Sequence, residues 1–180
     1  FLVRGWPDDY DGWAASGNPG WSFADLLPCF RELESDADVD DRWHGRSGPV
    51  PVQRASYDEL SPLQRAFVDT ANAAGHPVVP DHNRPGAVGV GALPRNVRDG
   101  LRMSTALTHL AAARERPNLT VRSQTVVDRV ELSGTGAVGV RLASGELVEA
   151  DRVLLTAGAY CSPAILLRSG IGPAADWYAV

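Results

Sequence analysis

One segment near the C-terminus combines an apolar run, a glycine and a short helix, and it constrains the fold more than any other part of the chain. The apolar run Val153–Ala157 is rich in branched residues and predicts a buried strand. Gly158 follows, and Ser162 and Pro163 have the order of a helix cap and a first helical residue. Gly170 can end this helix in the left-handed conformation. A strand, a glycine turn and a helix N-terminus let a backbone approach a nucleotide closely, although an ordinary strand–turn–helix without a ligand is the alternative.

The sequence of residues 158–172 favours the ligand-binding interpretation. Their pattern, Gly-Ala-x-x-Ser-Pro-x-Ile-Leu-x-x-Ser-Gly-Ile-Gly, resembles the second signature of the glucose–methanol–choline (GMC) family of flavin oxidoreductases. Residues 1–13, 20–30, 44–45 with 48–49, 99–106 and 116–121 are also similar to the family, so the resemblance covers nearly all of residues 1–177. The pattern Asp-Gly-x-Arg-x-Ser-Thr-Ala at residues 99–106 resembles bacterial members of the family. These include members associated with the peptide-derived cofactor mycofactocin.

The resemblance implies an FAD-dependent enzyme that oxidises an alcohol at its CH–OH group by hydride transfer to the flavin. The expected fold class is α+β or α/β. One part is a portion of a two-dinucleotide-fold FAD domain, with a β-meander and a parallel strand, and the other is a portion of an antiparallel-sheet substrate domain. The partners implied are a small-molecule alcohol and an electron acceptor, which is oxygen, a quinone or another carrier. The alternatives are a lyase of the same fold with a structural FAD, similar to hydroxynitrile lyases, and an inactive module.

Cofactor contacts follow from the resemblance at three positions. The backbone of Val127 is expected to contact the adenine, and Ala157 and Gly158 are expected to pass near the adenosine. Without the family context, Val127 is a core residue of a strand and Gly158 is a turn glycine. The pyrophosphate loop and the His–His or His–Asn catalytic pair are expected outside this chain, so no catalytic residue is assigned within it.

The chain is expected to divide into three parts. Residues 1–43 are interpreted as an extension of the FAD domain with a lid-like helical segment, and residues 44–116 as part of a substrate-binding domain. Residues 117–180 are interpreted as an FAD-domain segment with the meander and the second signature. Because the chain begins at Phe1 with structured-looking sequence, we expect a piece of a longer protein, which is inactive in isolation.

Helix signals occur at three places in the first 116 residues. Ser22 with Asp25 forms a capping-box pattern, and Ser61 precedes a first-turn proline. A third helix is predicted to begin after Ser104 and to continue to about Arg116. The expected buried face of the second helix comprises Leu63, Ala66, Phe67, Ala71 and Ala74.

Short strand candidates with turn residues between them dominate the remainder. They are Leu119–Arg122, Val126–Leu132, Ala137–Leu142 and Leu147–Glu149. Because the connections are far shorter than a parallel crossover, these strands are predicted to form an antiparallel meander.

Composition excludes several functions. All 17 positively charged residues are Arg, so no Walker-type lysine, pyridoxal Schiff base or lysine base is available. The net charge of −5 disfavours nucleic acid, and no apolar run approaches the ~20 residues that span a bilayer. Cys29 and Cys161 show no pairing pattern, which favours a reducing compartment and a cytoplasmic location.

The remaining candidates favour structural roles. The acidic run Glu32–Asp41 is interpreted as a solvated loop, and Gly86–Gly91 as a strand or bulge, since no strand-to-helix context surrounds it. His44 is expected to anchor a turn rather than act as a base. No metal site is predicted, because His76, Asp81 and His82 lie on a Pro-rich stretch that predicts a surface loop.

Overall fold

The computed structural model describes residues 1–39 and 42–173 of the chain. Two compact units are present, an N-terminal unit, Phe1–Leu119, and a C-terminal unit, Thr120–Val180. Both units contain helices and strands, so the mixed α/β class is confirmed. No helix within the described ranges is both long enough and apolar enough to cross a membrane.

The predicted parts 1–43 and 44–116 lie within the N-terminal unit, and most of the part 117–180 forms the C-terminal unit. Their assignment to FAD and substrate domains stays a prediction.

The three longer helices of the N-terminal unit are α1 (Pro7–Ala15), α2 (Phe23–Leu33) and α3 (Pro62–Ala73). At the start of α2 the Ser22 Oγ accepts a hydrogen bond from the Asp25 N–H at 3.2 Å. At the start of α3 the Ser61 Oγ accepts one from the Gln64 N–H at 3.3 Å. Both predicted caps are therefore confirmed, since each serine satisfies an N–H that has no partner within its helix.

The predicted buried face of α3 is wrong. Leu63 is 81% exposed and Phe67 is 66% exposed, and α3 has no fully buried residue. The spacing of apolar residues identifies one side of a helix, but burial also requires an opposing surface. The described part of the chain does not place one over these two side chains.

Two short strands form the centre of the N-terminal unit. Strand β1 (Glu34–Asp36) pairs in parallel with β2 (Val50–Val52), and Glu34 lies opposite Val50. Glu34 and Asp36 are each only 1% exposed. The prediction of a solvated acidic loop is therefore wrong over β1, because buried cations compensate these carboxylates; residues 40 and 41 of that run lie outside the described residues.

The predicted surface loop around residues 76–82 is also wrong at one position. Asp81 is buried, whereas His76 is exposed and His82 is half-buried. The glycine-rich stretch that follows makes a parallel bridge between Val78 and Val90, as a strand or bulge segment would. Asp81 is buried because two cationic side chains contact its carboxylate.

The remainder of the N-terminal unit contains a small hairpin and a short helical stretch. These elements are β3 (Val97–Arg98), β4 (Leu101–Arg102), a π-helical turn at Ala106–Leu110 and α4 (Ala111–Ala113). The third helix is thus shorter than predicted. At its start, the Ser104 carbonyl accepts hydrogen bonds from the N–H groups of Leu107 and Thr108.

An antiparallel meander dominates the C-terminal unit and confirms that prediction. Its strands are β5 (Val127–Ser133), β6 (Gly136–Leu142) and β7 (Leu147–Glu149), in the order β5-β6-β7. The predicted strand Leu119–Arg122 is wrong, because this segment forms no backbone ladder with another described strand. Arg122 instead binds Glu146 through its side chain, at 2.9 Å.

Helix α5 (Gly158–Arg168) begins four residues before the predicted cap. Pro163 consequently lies inside the helix, and the Ser162 Oγ accepts a hydrogen bond from the Ala157 N–H at 3.0 Å. The predicted C-terminal end is confirmed: Gly170 has φ 75°, and the Ile171 N–H donates to the Leu166 carbonyl at 2.9 Å.

The predicted buried strand Val153–Ala157 is wrong in this chain. The segment pairs with no described strand, and Leu154 is 90% exposed. A parallel strand exists only through hydrogen bonds to a neighbour, and the described meander leaves this segment without one.

Candidate functional site

The N-terminal end of α5 presents an open stretch of backbone. Gly158 has φ 87°, and a side chain placed on it would meet no heavy atom within 4 Å. Ala157 and Gly158 are both exposed. The first-turn N–H groups of a helix have no partner within it and carry partial positive charge. This backbone is therefore accessible, and the expected approach of the adenosine part of FAD stays a prediction.

Val127 occupies the first position of β5, opposite Leu142 in β6. Its side chain is half-buried, and it does not line the adjacent cavity of about 320 Å³. The residues that line this cavity are Arg122, Gln124, Thr125, Val126, Leu142, Ala143, Ser144 and Glu146. The Val127 side chain is thus half-buried at the start of the meander, and the adenine contact of its backbone stays a prediction.

Hydrogen bonds join the two elements that carry the predicted cofactor contacts. The Val130 N–H of β5 donates to the Ser169 Oγ at 2.8 Å, directly after α5. The Arg168 Nε donates to the Asp128 carbonyl at 2.9 Å. Val127 and Gly158 therefore belong to two elements that are fixed to each other, while their contact with one shared cofactor stays a prediction.

The N-terminal unit contains a buried charged cluster that the sequence analysis missed. We define the charged cluster as six side chains: Arg4, Glu34, Asp36, His44, Arg54 and Asp81. The Glu34 Oε1 accepts hydrogen bonds from the Arg4 Nη2 at 2.6 Å and from the His44 Nδ1 at 2.8 Å.

On its other side, the charged cluster is closed by Asp81 and Arg54. The His44 Nε2 lies 2.9 Å from the Asp81 Oδ2. Arg54 donates from its Nη1 to Asp36 at 2.8 Å and from its Nη2 to Asp81 at 2.7 Å. Every charged group therefore lies within hydrogen-bonding distance of an opposite charge.

The pairing in the charged cluster shifts the pKa of its titratable members. Burial alone would lower the pKa of His44, but hydrogen bonds to Asp36, Asp81 and Glu34 outweigh burial and raise it to about 11. For Asp81, burial is outweighed by bonds from His44, the Asn83 N–H and Arg54, which lower its pKa to about 2. The same balance, with bonds from His44 and Arg54 prevailing over burial, holds the pKa of Asp36 far below its ordinary value.

The chemistry of the charged cluster suits ion pairing rather than metal binding or acid–base catalysis. The ligand atoms of Glu34, Asp36 and His44 all lie within 4.8 Å of one another, which is compatible with a metal ion by distance alone. Metal binding requires a deprotonated imidazole nitrogen, whereas the raised pKa of His44 favours the protonated ring. Guanidinium groups also occupy the carboxylates. The His44 side chain is fully buried, so no substrate proton can reach its nitrogens directly.

One sequence signal for the charged cluster was available. Glu34 and Asp36 are two residues apart, and alternate residues of a strand project to the same face. Directly after a helix and before a strand-like Val-Pro-Val run, this spacing favours two carboxylates on one inward face. The partners Arg4 and Asp81, which lie far away in sequence, gave no local signal.

The fold and the candidate site together define a class of protein, a mixed α/β chain with a glycine-initiated helix suited to a nucleotide. Comparison with known proteins gives the family. The model of the GMC oxidoreductases matches residues 1–177, so this chain belongs to the GMC oxidoreductase family, whose members depend on FAD.

Individual relatives agree with this family. The chain is 41% identical over 177 residues to pyridoxine 4-oxidase of Microbacterium luteolum, covering 94% of this chain and 34% of the relative. It is 40% identical over 177 residues to the oxygen-dependent choline dehydrogenase of Photobacterium profundum, covering 96% and 31%. The crystal structure of pyridoxine 4-oxidase from Mesorbium loti superposes with a TM-score of 0.87 at 38% identity, covering 96% and 35%. The chain thus spans about a third of the length of these relatives.

Proposed function

We propose that the protein carrying this chain oxidises an alcohol by hydride transfer to FAD, and that this chain supplies contacts to the adenosine part of the cofactor. The family match supports an FAD-dependent oxidoreductase acting on alcohol-type donors. The pyridoxine oxidase and choline dehydrogenase names of the relatives support a CH–OH donor.

The observation that carries the proposal for this chain is the backbone at Gly158. Its positive φ, its exposure and the open space around it leave the start of α5 accessible to a ligand. Ala157 and Gly158 would lie along the nucleotide, and the Val127 backbone would contact the adenine. When bound, FAD supplies the acceptor for the hydride, whereas these residues supply only binding and orientation.

Anaerobic reduction of the flavin tests the reaction. The intact protein, loaded with FAD, is mixed with a panel of primary and secondary alcohols, including choline and pyridoxine, in the absence of oxygen. We expect loss of the oxidised flavin absorbance with at least one alcohol and recovery of the corresponding aldehyde or ketone. A flavin that stays oxidised while the protein cleaves a cyanohydrin would instead establish the lyase alternative.

The electron acceptor and the cellular location are proposed from the sequence. The sequence of residues 99–106 supports the mycofactocin-associated bacterial subfamily, and the proposed electron acceptor is oxygen, a quinone or another carrier. The unpaired cysteines Cys29 and Cys161 support a cytoplasmic location. Stopped-flow reoxidation with each acceptor and cell fractionation test these two proposals. Reoxidation by none of these acceptors, or recovery in a membrane or secreted fraction, would contradict them.

A further inference from the structure

The charged cluster connects stretches of the N-terminal unit that are far apart in sequence. Arg4 lies in the N-terminal segment, which we define as residues 1–5, and it is 30 residues from its partner Glu34. Asp81 is 37 residues from His44 and 27 residues from Arg54. These long-range contacts stabilise the fold of the unit only while the charges of the paired side chains remain balanced.

The positions around the His44 ring require both of its nitrogens to be protonated. The Nδ1 atom lies 2.8 Å from a Glu34 oxygen and 3.1 Å from an Asp36 oxygen. The Nε2 atom lies 2.9 Å from an Asp81 oxygen. A neutral imidazole has one N–H, so one of its nitrogens would direct a lone pair at a carboxylate. The imidazolium donates on both sides and removes this repulsion.

With His44 protonated, the charges of the cluster cancel. Arg4, His44 and Arg54 carry three positive charges, and Glu34, Asp36 and Asp81 carry three negative charges. The other charged groups described around the cluster lie at its edge. Asp38 is a half-exposed carboxylate 3.7 Å from Arg54, and Arg31 donates to the His44 carbonyl at 3.3 Å.

Hydrogen bonds extend from the charged cluster to the backbone of the N-terminal segment. The Asn83 Oδ1 accepts from the Arg4 N–H, and its Nδ2 donates to the Leu2 carbonyl, both at 2.9 Å. The Asn83 N–H in turn donates to Asp81 at 3.0 Å. The Arg4 Nη1 donates to the Trp43 carbonyl at 2.7 Å. The N-terminal segment is thus held both by its arginine and by its main chain.

We propose that the charged cluster is an electroneutral ion lock, in which a permanently protonated His44 ties the N-terminal segment to β1 and to the Asp81 loop. Buried charges that lack a partner are strongly destabilising, so a change that upsets the balance should release the N-terminal segment. A second substitution that restores the charge balance should also restore the attachment of the N-terminal segment, even though it removes another hydrogen bond.

Nitrogen NMR of the unaltered intact protein, labelled at histidine, tests the protonation state without any mutation. We expect the His44 ring to show two protonated nitrogens from pH 6 to pH 9. The variant His44→Gln identifies which ring signals belong to His44. A neutral His44 ring at pH 8 would overturn the proposal.

Hydrogen exchange in a charge cycle tests the balance. The variants Glu34→Gln and His44→Gln leave the cluster with net charges of +1 and −1, and the double variant restores zero. We expect amide exchange in residues 2–5 to accelerate at least tenfold in each single variant. In the double variant, exchange should be slower than in either single variant. The control His76→Gln should leave exchange unchanged.

Two results of the cycle or of a metal titration would contradict the lock. If the accelerations in the two single variants simply multiply in the double variant, charge balance has no role. If Zn²⁺ binds the intact protein stoichiometrically in calorimetry, and this binding disappears in His44→Gln, the cluster is a metal site. We expect no such binding. Should a variant fail to fold, the NMR measurement on the unaltered protein still decides the protonation state.

Discussion

Arginine–carboxylate pairs occur in both units, but their surroundings differ. Arg54 in the N-terminal unit has 6% of its side chain exposed and contacts Asp36 and Asp81, which are more deeply buried still. Arg122 in the C-terminal unit pairs with Glu146 at a similar distance, yet 45% of its side chain is exposed. Arginine–carboxylate pairs thus form part of the core in the N-terminal unit and lie at the surface in the C-terminal unit.

The apolar residues in this comparison differ in burial in the same direction. In the N-terminal unit, Val52 is fully buried beside the charged cluster, whereas in the C-terminal unit Leu154 and Tyr160 are almost fully exposed. The comparison teaches that burial in this chain follows from which partners the fold supplies. Hydrophobicity alone does not determine it.

The largest expected effect comes from removing a buried cation. Arg54→Met keeps much of the side-chain volume but leaves Asp36 and Asp81 without their guanidinium. Because breaking one side of a buried ion pair strands a charge in the interior, we expect a loss of about 3–5 kcal/mol in the free energy of unfolding. Urea unfolding of the intact protein, followed by circular dichroism, measures this loss.

The matched control is Arg122→Met in the C-terminal unit. Because water solvates Glu146 once its partner is removed, the unfolding midpoint of this variant should stay close to that of the unaltered protein. Equal losses in the two variants would show that the difference in burial between the units has no energetic consequence.

The pH dependence of stability comes next in size. The pKa of His44 is raised in the folded state, so its stabilisation is complete below the ordinary pKa of about 6.5 and decreases as pH rises toward 11. Relative to His44→Gln, the unaltered protein should lose about 1.4 kcal/mol per pH unit above pH 6.5. Asp81, with its lowered pKa, should cause a loss as pH falls below about 4 toward 2.

Urea midpoints measured from pH 3 to pH 9 for both proteins check these slopes. Parallel profiles above pH 6.5 would contradict the coupling of His44 to its carboxylates.

A change at Gly158 tests whether the C-terminal unit uses its exposed backbone for binding. Gly158→Val places a branched residue at φ 87°, a conformation that costs roughly 1–2 kcal/mol for residues with a Cβ. The control Gly145→Val imposes similar strain at φ 90° in the turn before β7. We expect comparable destabilisation in both, but weaker FAD binding only in Gly158→Val, measured by titrating apo-protein. Equal FAD affinity in the two variants would show that Gly158 serves only as a turn residue.

The smallest effect is expected at Val127. Val127→Ala removes part of a half-buried side chain and should cost about 1 kcal/mol, with little change in FAD affinity, because the proposed contact is through the backbone. Val130→Ala, at a buried position of the same strand, should cost more. Loss of FAD binding in Val127→Ala at unchanged stability would require a side-chain contact instead.

Local sequence determined the features that depend on near neighbours. The caps at Ser22 and Ser61 form because each serine oxygen lies beside an N–H three residues away. The meander of the C-terminal unit forms because its turns are too short for any other connection. The end of α5 at Gly170 follows from glycine's freedom to adopt positive φ. The sequence pattern of residues 158–172 indicated the family, and the match over residues 1–177 confirms it.

Only the tertiary structure decided which side chains are buried. Glu34 and Asp36 have the composition of a solvated loop, and they are buried because Arg4, His44 and Arg54, which lie outside β1, contact their carboxylates. In the opposite direction, Val153–Ala157 and the apolar side of α3 have the pattern of buried elements but lack a packing surface among the described residues. Periodicity and capping are local properties, whereas the free energy of burying a charge or an apolar side chain depends on the partners that the whole fold brings to it.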